Sequence, residues 1–138
     1  RERERERERE CVCVCVCVCT VYEKESSFLD AIGETDALRN CVKCLSRDIS
    51  KEREEAVSLL YELSKSRSLC EKIVSLNGAI LMLVKTVSSS SDNVLTVQRA
   101  DETLDNLEKC DGSVRPMAEN GRLQPLLQRL VEGISLIY

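Results

Sequence analysis

The chain contains no His and no Trp, one Phe and three Tyr, and only 2 Pro and 5 Gly among 138 residues. The missing His removes Ser-His-Asp and Cys-His catalysis and every zinc site that uses an imidazole. A basic excess with aromatic platforms, the usual equipment for nucleic acid, is also lacking: Lys+Arg 20 stand against Asp+Glu 24, a net charge of −4, and aromatics make up 3%. No apolar run approaches the ~20 residues that span a bilayer. Scarce Gly and Pro beside 43% hydrophobic residues suit a packed helical protein rather than a disordered one.

Cysteine, by contrast, is abundant at nine. Five of these, Cys11, Cys13, Cys15, Cys17 and Cys19, alternate with Val in a run that follows the strict Arg-Glu alternation of residues 1–10. A dinucleotide DNA repeat fills two codons every six bases, so AGA-GAG gives Arg-Glu and TGT-GTG gives Cys-Val. Residues 1–20 therefore read as a low-complexity tail, translated repeat DNA expected to contribute nothing to a core. As a strand, the Cys-Val run would put all its thiols on one face, where soft metals could bind adventitiously. A secretory signal is a poor fit, because the charged part is net neutral and no small-residue cleavage site follows. The chain lacks an initiator Met, so the expectation is a partial or mispredicted product. Outside the tail remain Cys41, Cys44, Cys70 and Cys110, ordinary usage for a reducing compartment.

Beyond the tail the pattern is helical throughout. Leu38, Val42 and Leu45 fall at i, i+4, i+7 and predict a helix over 36–46. Ala56, Val57, Leu60 and Leu63 form the stripe of a second helix over 50–66, with Ser50 as its N-cap. Ser68 and Glu71 make an S-x-x-E capping box for a short helix through Ile73 and Leu76, which Asn77-Gly78 stops. Helix resumes on Ile80, Leu83, Val84 and Val87. After the Ser88–Ser91 loop, Asp92 is the expected cap of a long helix carrying Ala100, Leu104 and Leu107.

These elements repeat. Asn77-Gly78-Ala79-Ile80 recurs 43 residues on as Asn120-Gly121-Arg122-Leu123, and Ala56, Leu60 and Leu63 recur 44 residues on as Ala100, Leu104 and Leu107. A period near forty with two or three helices per unit predicts an all-α helical solenoid of the armadillo or HEAT kind, in which stacked neighbours complete the core. Second helices fall at 36–46, 78–88 and 121–132, third helices at 50–66 and 93–110. Gly121-Arg122-Leu123-Gln124-Pro125-Leu126-Leu127 matches the armadillo G-x-I-x-P-L-V form. This gives about two and a half right-handed repeats within 26–133 and a C-terminal stub at 134–138.

A narrower resemblance rests on Asp36-Ala37-Leu38-Arg39-Asn40-Cys41-Val42-Lys43-Cys44-Leu45, Ser50-Lys51-Glu52-Arg53-Glu54-Glu55-Ala56-Val57, Ser68-Leu69-Cys70-Glu71-Lys72-Ile73 and Asn77-Gly78-Ala79-Ile80-Leu81-Met82-Leu83-Val84. Together they resemble the armadillo region of plant U-box E3 ubiquitin ligases. In that family a U-box of about seventy residues recruits the ubiquitin-charged conjugating enzyme, and the repeats hold substrates or anchor the ligase. The resemblance implies an interaction module lacking its own U-box segment, and a cytoplasmic location, with the plasma-membrane periphery or nucleus as family alternatives. The competing reading is an armadillo scaffold with no ligase connection.

No catalytic, metal or cofactor-binding constellation emerges. Cys41-x-x-Cys44 has half of a zinc-ribbon spacing but no second pair, and Cys70 and Cys110 are single; all four read as small packing residues. Lys51 to Glu55 is a solvated face with local ion pairs. In the armadillo pattern the Asn of A-x-x-x-L-x-N-L points into a concave groove that accepts a protein or peptide. Asn106 holds that position, and Glu62 takes it one repeat earlier. The groove's aromatic would fall at Ser58 and Glu102, neither of them Trp, so a ladder for basic nuclear-import signals is not expected. Glu62, Glu102 and Asp105 favour a basic or polar partner segment. A cut array also exposes Leu123, Leu126, Leu127 and Leu130, through which copies could self-associate.

Overall fold

The computed structural model describes residues 1–21, 26–34, 36–47, 49–89 and 93–137, with the side chains of 17–21, 26–29 and 134–137 left aside. Among the described residues the fold is all-helical: α1 (Glu2–Val21), α2 (Ser26–Gly33), α3 (Ala37–Leu45), α4 (Ser50–Leu63), α5 (Arg67–Ser75), α6 (Ala79–Ser88), α7 (Val94–Glu108), a 3-10 turn at Asp111–Ser113, α8 (Val114–Glu119) and α9 (Gln124–Ile137). Like packs on like at the repeat offset: α2 against α5, α3 against α6 and α4 against α7. Within a unit the second and third helices pair, α3 with α4 and α6 with α7.

The apolar stripes account for this stacking. Leu59, Leu60 and Leu63 of α4 are fully buried, as are Leu83 of α6 and Leu104 and Leu107 of α7. Each removes roughly 1.5–3 kcal/mol worth of apolar side chain from water. Gly78 and Gly121 stand at the same point of successive units with φ of 84° and 87°, the left-handed conformation that a side chain would strain. Cys41, Cys44, Cys70 and Cys110 are all buried in the shared core.

Several expectations from sequence are corrected. The cap of α7 is Asn93, whose side chain accepts from the backbone N–H of Leu95 and Thr96; Asp92 lies outside the described residues. The N-cap of α5 is Ser66, and no capping box forms, because the Ser68 hydroxyl donates instead to Asp30 Oδ1 at 3.2 Å. The helix expected over 121–132 begins at Gln124 and runs to Ile137, so 134–137 continue it rather than form a stub.

The largest correction concerns the N-terminus, which is neither a strand nor detached from the core. Residues 2–21 form a helix packed across α3 and α4, and Val12 is 1% exposed. Arg and Glu are good helix formers, and their alternation places opposite charges at i, i+3. The Cys-Val half is apolar all round, so any face it turns inward suits the apolar end of α3 and α4. At the other end of the chain, Leu123 just before α9 and Leu126, Leu127, Leu130 and Val131 within it are 37–57% exposed. Ile80 and Leu83, which stand 43 residues before Leu123 and Leu126, are buried where α7 packs on α6, and Val84 and Val87, before Leu127 and Leu130, are partly buried there.

Candidate functional site

Ser58 and Glu62 lie one turn apart on α4, and Glu102 and Asn106 one turn apart on α7. Since α4 and α7 pack side by side, the four candidate groove residues sit on two adjoining helices, each half-buried. Two hydrogen bonds stitch the seam. Arg99 Nη1 donates to Ser58 Oγ at 2.8 Å, and Asn106 Nδ2 donates to Ser64 Oγ at 3.0 Å. Ser64 Oγ in turn donates to the Tyr61 carbonyl at 2.7 Å, so its hydroxyl is engaged as both donor and acceptor. Asn106 thus bridges two helices rather than closing a bond within its own turn.

The acidic character expected of this face is largely neutralised from within. Glu62 pairs with Lys65 at 3.0 Å, and Lys65 also lies 4.8 Å from the Tyr61 ring centroid. Asp105 pairs with Arg122 at 3.0 Å, and the same guanidinium holds Asp101 at 3.1 Å and Glu108 at 2.8 Å. Burial alone would lower the Arg122 pKa; the hydrogen bonds to Glu108 and Asp101 outweigh it and raise it. Glu102 remains the carboxylate of the face with no ion pair among the described residues.

Two residues that shape the site escaped the sequence reading. Arg99 lies three residues before Glu102, on the same helix face, and that spacing was a usable signal. Arg122 carried no such signal, because its partners lie 14 to 21 residues away in the chain. Beside Asn106 a cleft of about 540 Å3 opens between the ends of α4 and α7 and the start of α5, lined by Ser64, Lys65, Arg67, Lys109 and Asp111 among others. Cys70 and Cys110 form part of its wall. Burial pushes the Cys70 thiol pKa up, with the neighbouring Cys110 adding to the effect, and burial pushes Cys44 up to about 11. Such thiols stay protonated at neutral pH and are poor nucleophiles or metal ligands. Among the described residues, no cluster of three or more His, Cys, Asp or Glu is placed to hold a metal ion.

The geometry defines a class first: stacked helical units with a polar seam between adjoining long helices, and no helix among the described residues long and apolar enough to cross a membrane. Its homologues are plant proteins. The chain is 55% identical over 113 residues to U-box domain-containing protein 43 of Arabidopsis thaliana, and 52% identical over 113 residues to U-box domain-containing protein 44 of the same plant. It is 48% identical over 104 residues to U-box domain-containing protein 24 of Oryza sativa subsp. japonica. These matches cover 82%, 82% and 75% of this chain but only 14%, 14% and 13% of the relatives' own lengths. No protein-family model and no solved structure matches the chain.

Proposed function

We propose that residues 26–133 are an armadillo-type right-handed solenoid segment of a U-box ubiquitin ligase-like protein, and that they bind a protein or peptide partner on the face formed by α4 and α7. The observation that carries this reading is the repeat stacking itself: α2 on α5, α3 on α6 and α4 on α7, at sequence offsets of 42–44 residues. A stacked array presents a continuous surface rather than a closed active site, which favours binding over catalysis. The plant U-box relatives supply the ligase connection, with the repeats holding a substrate or partner in the cytoplasm while ubiquitin is transferred by other parts of such a protein.

The charges define the partner. With Glu62 and Asp105 neutralised internally, Glu102 is the free carboxylate, so the face suits a polar extended segment with a single cation rather than a strongly basic one. The test is a peptide-display selection against the full chain, followed by binding measurements on Glu102→Lys, Asn106→Ala and, as a control on another helix, Lys72→Ala. Glu102→Lys is expected to weaken the recovered peptides about tenfold or more, corresponding to loss of one desolvated charge contact. Asn106→Ala is expected to weaken them while costing about 1 kcal/mol of stability through the lost bond to Ser64. Peptides that bind all three variants as they bind the parent would refute the α4–α7 face.

A further inference from the structure

We propose that the α3–α4 end of the array is a helix-docking surface, and that residues 2–21 of this chain occupy it in cis as a removable cap. Neither the repeat pattern nor the resemblance to U-box proteins assigns any role to this segment. The contact has an apolar centre and a charged margin. Val12 is 1% exposed at the centre, with Cys11, Cys15 and Val16 partly buried around it against the core. At the margin Glu8 pairs with Arg47 and, at 3.3 Å, with Lys43. Arg47, just past the end of α3, reaches onward to Glu52 of α4 at 3.4 Å, so one guanidinium joins α1 to α4.

The surface beneath is built for a helix. The long helix α4 packs on α7, and α1 packs on α4 in turn. Yet α1 also crosses α3, which makes its seat that of a cap spanning two helices rather than a further turn of the array. Only one residue of this long helix is buried among those whose side chains are described, while Val14 is 60% exposed beside it. Where α4 and α7 each bury several side chains completely, the described part of α1 buries one, and a helix so held opens locally at lower cost than the core does. Once it opens, the covered ends of α3 and α4 are free for a second helical segment.

The buried thiols make the opening measurable in the full chain. Cys44 lies beneath α1, close enough to feel the Glu8 carboxylate, and Cys41 is on the same helix. Cys70 and Cys110 lie at the α5–α7 side, away from α1. Thiol-alkylation rates read site by site by mass spectrometry should therefore separate local from global opening. In Val12→Asp, labelling of Cys41 and Cys44 is expected to accelerate about tenfold or more, since a carboxylate cannot stay in that seat, while Cys70 and Cys110 keep their rates. Glu8→Arg, a milder surface change that sets like charges against Arg47 and Lys43, should act in the same direction. Val14→Asp, on the exposed side of the same helix, should change nothing. Unchanged Cys41 and Cys44 rates in both Val12→Asp and Glu8→Arg would overturn the proposal. So would an equal rise at all four thiols, because α1 would then be part of one cooperative core and not a cap.

Discussion

Removing Arg122 should loosen α9 from the rest of the array. Its guanidinium, 22% exposed, gathers Asp101, Asp105 and Glu108, which stand on one face of α7. Asp101 and Asp105 are 51% and 60% exposed, so solvent screens those pairs to about 0.5 kcal/mol or less each. Glu108 is 20% exposed, and its charge-assisted bond contributes about 1 kcal/mol more. Arg122→Gln should therefore cost about 2 kcal/mol, the sum of these three contacts. For a chain of this size that corresponds to a fall in Tm of roughly 6 °C. Arg122→Lys keeps a point charge without the planar fork and should recover less than half of the loss. Thermal melts followed by circular dichroism at about 0.05 M and about 1 M salt give the decisive comparison, because the exposed pairs are screened at high salt and the gap between parent and variant should narrow. Hydrogen exchange should show faster opening across residues 123–130 than in α4, since the residue that ties the start of α9 to α7 is gone. A variant that melts with the parent at low salt, or a loss that salt leaves untouched, would refute the electrostatic account.

Two further outcomes follow from single contacts. The Glu8 carboxyl feels burial most, which raises its pKa, but the hydrogen bonds from Lys43 and Arg47 outweigh it and hold it below 4.5, so its contribution to α1 docking is fully present above 4.5 and is lost as pH falls through the folded value beneath that. Protection of Cys44 against a pH-tolerant thiol probe should fall over that acid range, and Glu8→Gln should flatten the fall; an identical profile in the variant would exclude Glu8 as its source. At Gly33 an added Cβ would clash with Leu69 Cδ2, and Leu69 is fully buried, so Gly33→Ala should cost about 1–3 kcal/mol by urea denaturation. A neutral result there would mean that α2 shifts freely on α5.

What was legible in the sequence is what local spacing controls. The stripes of α3, α4, α6 and α7 emerge directly from apolar residues at helical intervals, and the two Asn-Gly stops from the left-handed glycine each unit needs. Caps were legible only to within a residue or two, because a side chain caps a helix only if nothing nearer claims it. Ser68 is claimed by Asp30, 38 positions away, and no local pattern encodes that. The N-terminal segment was expected to stay off the core because a simple dipeptide repeat carries no folding pattern. Its period of two is a strand signal, yet a helix apolar on every side can satisfy an apolar seat that α3 and α4 leave open. The candidate site shows the same division. Ser58, Glu62, Glu102 and Asn106 were chosen from the repeat offsets, and the two helices that carry them, α4 and α7, pack side by side. Their charge was overestimated because sequence counts Asp105 and Glu62 as free, whereas Arg122 and Lys65 close over them. Repeat spacing fixes which helix positions adjoin; Arg122 and Lys65, which no apolar spacing marks, decide which of their carboxylates stay unpaired.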